Sequence, residues 1–304
     1  MVDFVHEALF YRDPGEFLAG TVPFVLDGLE IGEPVLVAVP QRNVDLIRAE
    51  LGAKAETVEF LDMTTAGRNP GRIIPGVLTT FANSHPTPVR IIGEPIWAGR
   101  SAVEYPACVQ HEALINTAFD GRRAAILCPY DAARLTPDVV QDAERTHPVL
   151  VEDGRRWSSE RYDDPVKTAE DFNRPLPAPP ADAECHRFDL HSLTAIRRRV
   201  SDYATFAGLS EDQVEDLVLA VNELTTNSVL HATGSGELRV WQDGRSVVCE
   251  VRDRGTLTNP MVGRLKPAPN TRGGYGVVMV NLLCDLVRIH SDQHGTTIRV
   301  HVTR

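Results

Sequence analysis

As far as residue 172 the chain alternates short, nearly unbroken apolar runs with amphipathic stretches. The runs are "PVLVAVP" (34–40), "TVEFLD" (57–62), "PVRIIG" (88–93), "RAAILCP" (123–129) and "PVLVE" (148–152). A strand without polar alternation is buried on both faces, so this rhythm predicts a mostly parallel sheet with helices on either side, a three-layer α/β/α unit. Beyond residue 185 the pattern changes. A short strand at "HRFDL" (186–190) is followed by two helices, the strands "ELRVWQD" and "SVVCEVRD", a loop, a helix and two final strands. Neighbouring strands with helices grouped apart predict an antiparallel or mixed sheet covered on one face, a two-layer α+β sandwich.

The two patterns are separated by "NRPLPAPPADAE" (173–184), where Pro175, Pro177, Pro179 and Pro180 forbid a helix and favour an extended spacer. The expected organisation is a first domain over 1–172, a proline-rich linker over 173–184 and a second domain over 185–304. Residues 155–172 are polar and charged, and read as a tail of the first domain or as part of the connector.

Composition narrows the function classes. The hydrophobic fraction of 42% and charged fraction of 24% are those of a globular protein. No apolar run approaches the roughly 18 residues of a membrane span. The start, "MVDFVHEALFYRDPGEF", lacks the features of an export signal, so a cytoplasmic location is expected. Five scattered cysteines with no C-x-x-C pair indicate neither a disulfide framework nor a zinc knuckle. A net charge of -11 disfavours direct DNA binding. The usual phosphate loops, G-x-x-x-x-G-K-[ST] and G-x-G-x-x-G, are absent from the first domain.

The second domain carries the more specific chemistry. Ser210 and Gln213 form a capping-box start, and Val214, Leu217, Val218 and Val221 form the buried stripe of the helix that follows. Glu223 and Asn227 share another face of that helix. Asp253-Arg254-Gly255 ends a strand, Gly273, Gly274 and Gly276 open an apolar helix, and Gly295-Thr296-Thr297 opens the last strand. Each feature alone has a plainer explanation: a solvated helix face, a tight turn, a helix cap, a hairpin. Glycine at a helix entry also lets phosphate oxygens approach backbone N–H groups.

Taken in order, E-x-x-x-N, D-x-G, G-x-G and G-T-T resemble the N, G1, G2 and threonine motifs of the GHKL ATPase superfamily, the Bergerat fold. Within it, residues 185–304 look like the anti-sigma factor serine kinases. The resemblance implies an ATP held between the helix and a glycine-rich lid, with Asn227 as the Mg²⁺ ligand and Glu223 as general base. Asp253 would accept from the adenine amino group, Gly255 would open space beside the ring, and Thr296 and Thr297 would complete the pocket. Gly274 and Gly276 would cradle phosphate, with Arg272 or Lys266 offsetting its charge. Arg197, from the basic run 197–199, matches the family's arginine that contacts the sigma factor and aids phosphotransfer. The implied partners are a sigma factor and a STAS-domain anti-anti-sigma factor, and a homodimer is in keeping with the family. The family's usual D-x-G-x-G has Leu257 at its second glycine here, which leaves a non-catalytic, partner-sequestering module as an alternative. A sensor histidine kinase is the third reading, although only one helix, 191–206, separates the linker from the Glu223 helix.

The first domain resembles the MEDS sensory domains through "HEALFY", "EPIWAGRS" and "HEALIN". That resemblance implies a small-molecule ligand or other signal. His6, Glu94, Trp97, Glu104, Cys108, His111 and Glu112 are the candidate pocket residues. Cys108 and His111 are spaced as a C-x-x-H metal pair, with ordinary packing as the plainer role.

Overall fold

A computed structural model describes residues 4–267 and 274–304. The chain divides into two compact units, one ending at Phe172 and one beginning at Asn173.

The first unit runs β1 (Phe4–Tyr11), α1 (Pro14–Glu30), β2 (Val35–Val39), α2 (Gln41–Leu51) and β3 (Glu59–Asp62). A broken helical stretch follows, α3 (Met63–Ala66), α4 (Pro70–Arg72) and α5 (Thr79–Ser84), with wider turns over Ile73–Leu78. Then come β4 (Val89–Gly93), α6 (Tyr105–Ala118), β5 (Ala124–Asp131), α7 (Pro137–Thr146), β6 (Val149–Glu152), β7 (Arg155–Ser158) and α8 (Pro165–Asp171). The sheet order is β3-β2-β4-β5-β1-β6-β7, parallel throughout except for β7. All five residues of β2 are buried, as its unbroken apolar run requires. Leu9, Tyr11, Val37 and Ile92 pack with Phe17 and Val25 of α1 and Ile47 of α2 in one core layer. Asp13 starts α1 by accepting from the backbone N–H groups of Gly15 and Glu16.

Two strands lie outside the five apolar runs. β1 sits between β5 and β6, and its buried His6 and Glu7 interrupt the apolar signal. β7 is exposed at all four positions and pairs with β6 across Asp153 (φ 49°) and Gly154 (φ 70°), the left-handed pair that suits a two-residue hairpin. Residues 155–171 therefore build structure within the first unit, and α8 packs on α6.

The second unit contains β8 (Glu184–Asp189), α9 (Leu193–Phe206), α10 (Glu211–His231), β9 (Ser235–Asp243), β10 (Ser246–Asp253), α11 (Gly276–Leu283), β11 (Leu286–Asp292) and β12 (Gly295–Thr303). Its sheet, β11-β12-β10-β9-β8, is antiparallel throughout. Ile196 and Val200 of α9, Leu217, Val221 and Leu224 of α10 and Val280 of α11 pack on Leu238, Val240, Val251, Ile298 and Val300 of the sheet. The capping box forms as the sequence specifies, with Ser210 Oγ accepting from Gln213 N and Gln213 Oε1 accepting from Ser210 N. Part of the proline-rich stretch is fastened to this unit. Asn173 donates to Ser291 O at 2.7 Å and accepts from Ser291 N at 3.1 Å, and Arg299 donates to Pro177 O at 2.6 Å. Among the described residues no helix is long and apolar enough to cross a membrane.

Candidate nucleotide site and sensory cleft

On α10 the stripe Leu217, Val221 and Leu224 faces the sheet, which leaves Glu223 and Asn227 half-buried one turn apart at the edge of the layer. Asn227 opens onto a cleft of about 280 Å³, lined also by Ser228, Asp253, Gly255, Leu257, Gly274, Gly276 and Thr296 over an apolar floor of Leu224, Val251, Val277 and Ile298. Four separate segments of the chain meet there.

Asp253, the last residue of β10, is held from two sides. Ser228 donates its hydroxyl to Oδ2 at 2.5 Å, and the Gly255 N–H donates to Oδ1 at 2.7 Å. Each oxygen keeps a second acceptor site, so the carboxylate is aimed yet still able to receive a ligand N–H. Thr296 donates its only hydroxyl proton to Gly255 O at 2.8 Å. Ser291 Oγ, 2.8 Å from Thr296 Oγ1, must therefore donate to it, and accepts from Leu257 N at 2.8 Å. This chain of bonds fixes the strand end and the loop after it as one piece.

The glycines of these segments answer to space. A Cβ on Gly276 would lie 2.8 Å from Glu223 Oε2 and 3.3 Å from Asn227 Nδ2, so the start of α11 is pressed against that pair. At Gly255 a Cβ would meet Ala232 Cβ at 2.7 Å, and at Gly295, with φ +139°, it would sit 2.1 Å from the Asp253 carbonyl. Gly274 has φ +85°, a conformation that glycine adopts readily. Among the described residues neither Glu223 nor Asn227 has a side-chain hydrogen bond; Asn227 lines the cleft, whereas Glu223 is not among its lining residues and reaches it only beside Gly276.

Arg197 on α9 donates to Asn222 Oδ1 at 2.8 Å and Thr194 Oγ1 at 2.9 Å, beside Glu223 in sequence. Thr296 lines the cleft, whereas Thr297, one position on, projects from the opposite face of β12 by strand alternation. Lys266 is not among the residues lining the cleft. Arg272 and Gly273 lie outside the described residues. Ser228 and Ser291 belong to none of the motifs. Ser228 was within reach, because it continues the sheet-facing stripe four residues after Leu224.

In the first unit a second cleft, of about 340 Å³, opens at the carboxyl ends of β1, β2, β4 and β5, lined by Tyr11, Asn43, Glu94, Trp97 and Asp131 among others. Ligands of doubly wound sheets bind at this end. Glu94 is buried, accepts from Asn43 Nδ2 at 2.7 Å and from the Tyr11 hydroxyl at 3.2 Å, and is pushed up to about 8 by burial against those bonds. The other sensory candidates are elsewhere. Glu104 braces a loop by bonding Arg100 at 2.9 Å and Ser101 Oγ at 2.6 Å, with Arg100 stacked 3.9 Å over Trp97. Cys108, His111 and Glu112 are buried on α6, and His6 meets Glu112 at 3.4 Å. The candidates therefore fall into separate places, with only Glu94 and Trp97 sharing the cleft.

Residues 187–302 match the family model described as a histidine kinase-like ATPase domain. The serine-protein kinase RsbW of Bacillus licheniformis is 30% identical over 117 residues, 34% of this chain and 72% of the relative. The chain belongs to the RsbW family. A second RsbW sequence from a strain of that species is also 30% identical, over 118 residues and 73% of its length. Residues 5–148 match the MEDS model, the methanogen/methylotroph DcmR sensory domain, so the RsbW-like unit is preceded by a MEDS domain. A solved structure of the RsbU and RsbW domains of Rv1364c from Mycobacterium tuberculosis aligns with a TM-score of 0.31 and 20% identity, over 41% of this chain and 32% of that one. The four motif segments of the RsbW-like unit are those that meet at the cleft between α10 and α11.

Proposed function

We propose that the protein is a cytoplasmic anti-sigma regulator. Its second unit binds Mg-ATP, sequesters a sigma factor and phosphorylates a serine on a STAS-domain anti-anti-sigma partner, while the MEDS domain tunes that switch through a small ligand. The observation that carries this reading is the pairing of Glu223 with Asn227 at Gly276, on the rim of the cleft that Asp253 faces.

The residues present fit a metal-bound nucleotide. The Asn227 amide oxygen is a hard donor of the kind Mg²⁺ takes, and magnesium supplies charge neutralisation to the phosphates when bound. Asp253, steadied by Ser228 and Gly255, would accept from the adenine amino group while Val251, Val277 and Ile298 cover the ring. Gly274 and Gly276 allow phosphate oxygens to approach the backbone at the start of α11. Glu223 would take the proton of the partner's serine hydroxyl as its oxygen bonds to the γ-phosphorus, the bond to the β-phosphate oxygen breaks and ADP leaves. Arg197, tied to Asn222, would offer its guanidinium to the phosphorylated or partner surface.

Radiolabel from γ-labelled ATP is expected on a serine of the cognate STAS protein, and to vanish with Asn227→Ala. Labelling that persists in that variant would contradict the role of Asn227. Glu223→Gln should leave nucleotide affinity within a few-fold and lower transfer by roughly 10²–10⁴-fold.

Leu257 favours a second reading, a module that binds nucleotide and sequesters its partner without phosphotransfer. Its side chain lines the cleft and packs on the core of the unit at a position where the related motif has glycine. Nucleotide binding without any phosphoprotein would select that reading.

A further inference from the structure

The first unit holds a cluster of four buried side chains drawn from four distant parts of the chain: His6 on β1, Glu112 on α6, Cys128 on β5 and His147 between α7 and β6. One ligand-capable atom from each lies within 4.8 Å of all the others. His6 Nε2 and His147 Nε2 are each 3.4 Å from Glu112 Oε2, and Cys128 Sγ is 3.4 Å from His6 Nε2. A tetrahedral cation with bonds of about 2.0–2.3 Å spaces its ligands roughly 3.3–3.6 Å apart, so these three edges already have the required length.

The outer hydrogen bonds fix which atoms face inward. Asn116 Nδ2 donates to Ala113 O at 3.1 Å and Thr146 O at 2.8 Å, which leaves its Oδ1 toward His6 Nδ1 at 3.2 Å as an acceptor. His147 Nδ1 faces the Ala143 carbonyl at 2.8 Å. Both rings must therefore carry hydrogen on Nδ1, which leaves each Nε2 facing the centre as the atom able to bind a metal. The centre is thus two imidazole nitrogens, a carboxylate and a sulfur. Glu112 Oε1 and Oε2 and His147 Nε2 make no well-aligned hydrogen bond there, although the Tyr130 hydroxyl lies beside the carboxylate. Acceptors facing one another in a dry core repel unless a proton or a metal cation sits between them, and four converging donor atoms suit the metal.

We propose that His6, Glu112, Cys128 and His147 form a structural metal centre for a divalent first-row transition cation, with zinc the best fit. Two imidazole nitrogens, one sulfur and one oxygen are donors zinc accepts in a four-coordinate closed site. The dication exactly offsets one carboxylate and one thiolate. On binding, the Cys128 thiol loses its proton to solvent and a sulfur–metal bond replaces the S–H bond. Such a centre would pin β1, β5, α6 and the α7–β6 junction together beneath the sensory domain's sheet.

The full-length chain, purified without added metal or chelator, is expected to carry about one zinc per molecule by elemental analysis. After chelator treatment, Co²⁺ should restore a thiolate-to-cobalt band and tetrahedral d–d absorption. Cys128→Ala should lose the thiolate band, whereas Cys108→Ala and Cys185→Ala should keep it. Should a Cys128 variant fail to fold, the metal content and cobalt spectrum of the unaltered chain still decide the matter. Less than a tenth of an equivalent of metal together with no cobalt absorption would overturn the proposal. So would a thiolate band that survives Cys128→Ala or disappears with Cys185→Ala.

Discussion

Two side chains carry testable chemistry at this scale, and each responds to a different probe. Glu94 is the one whose proton couples to folding. Unfolded it ionises near 4.5, whereas in the folded chain burial moves it to about 8. Between those values the unfolded chain has released the proton that the folded chain retains, so stability falls as pH rises through the window, by at most about 1.4 kcal/mol per pH unit. Glu94→Gln should therefore raise the denaturant midpoint at pH 8 and leave it nearly unchanged near pH 4.5. An equal shift at both values would show that Glu94 is ionised in the fold. Asp253 is tested through its support. Ser228→Ala removes the 2.5 Å bond to Oδ2 and leaves the cleft wall intact, so nucleotide affinity should fall about tenfold, the worth of one charge-assisted hydrogen bond. The sequence displayed Glu223, Asn227 and Asp253 because motif spacing survives without coordinates. Ser291 was hidden, because its role depends on β11 lying beside β12, a contact that no local pattern announces.

At the scale of elements, glycine positions hold the cleft open. Gly276→Ala would drive a Cβ to 2.8 Å from Glu223 Oε2 at the first residue of α11, so nucleotide binding should weaken while the unit stays folded. Gly295→Ala is the harsher change. Its Cβ would strike the Asp253 carbonyl at 2.1 Å from a backbone with φ +139°, and thermal melting should show destabilisation of roughly 1–3 kcal/mol. The elements that sequence pattern missed were missed for definite reasons. β1 carries His6 and Glu7 in its middle, polar residues that break an apolar run but are buried in the fold. β7 is an exposed edge strand without apolar alternation, and its only signal was the Asp153-Gly154 turn. The other parallel strands, β2 to β6, and α10 were legible from the outset.

For the whole molecule, two patterns of hydrophobic spacing separated by prolines announced a parallel and an antiparallel sheet, and both are present. The sequence did not disclose that Asn173 and Pro177 are bonded to the second unit, since hydrogen bonds to backbone carbonyls leave no compositional trace. Nor did it disclose the His6–Glu112–Cys128–His147 cluster, whose members lie on three elements and the α7–β6 junction and follow no metal-ligand spacing. The proposed activity requires the cleft in the second unit to clasp a nucleotide through its metal. The most direct measurement is a calorimetric titration of the full chain with a nonhydrolysable ATP analogue, with and without Mg²⁺, repeated on Asn227→Ala. Saturable binding that strengthens with Mg²⁺ and weakens at least tenfold in the variant is the predicted result. No binding, or an affinity indifferent to both Mg²⁺ and Asn227, would contradict it.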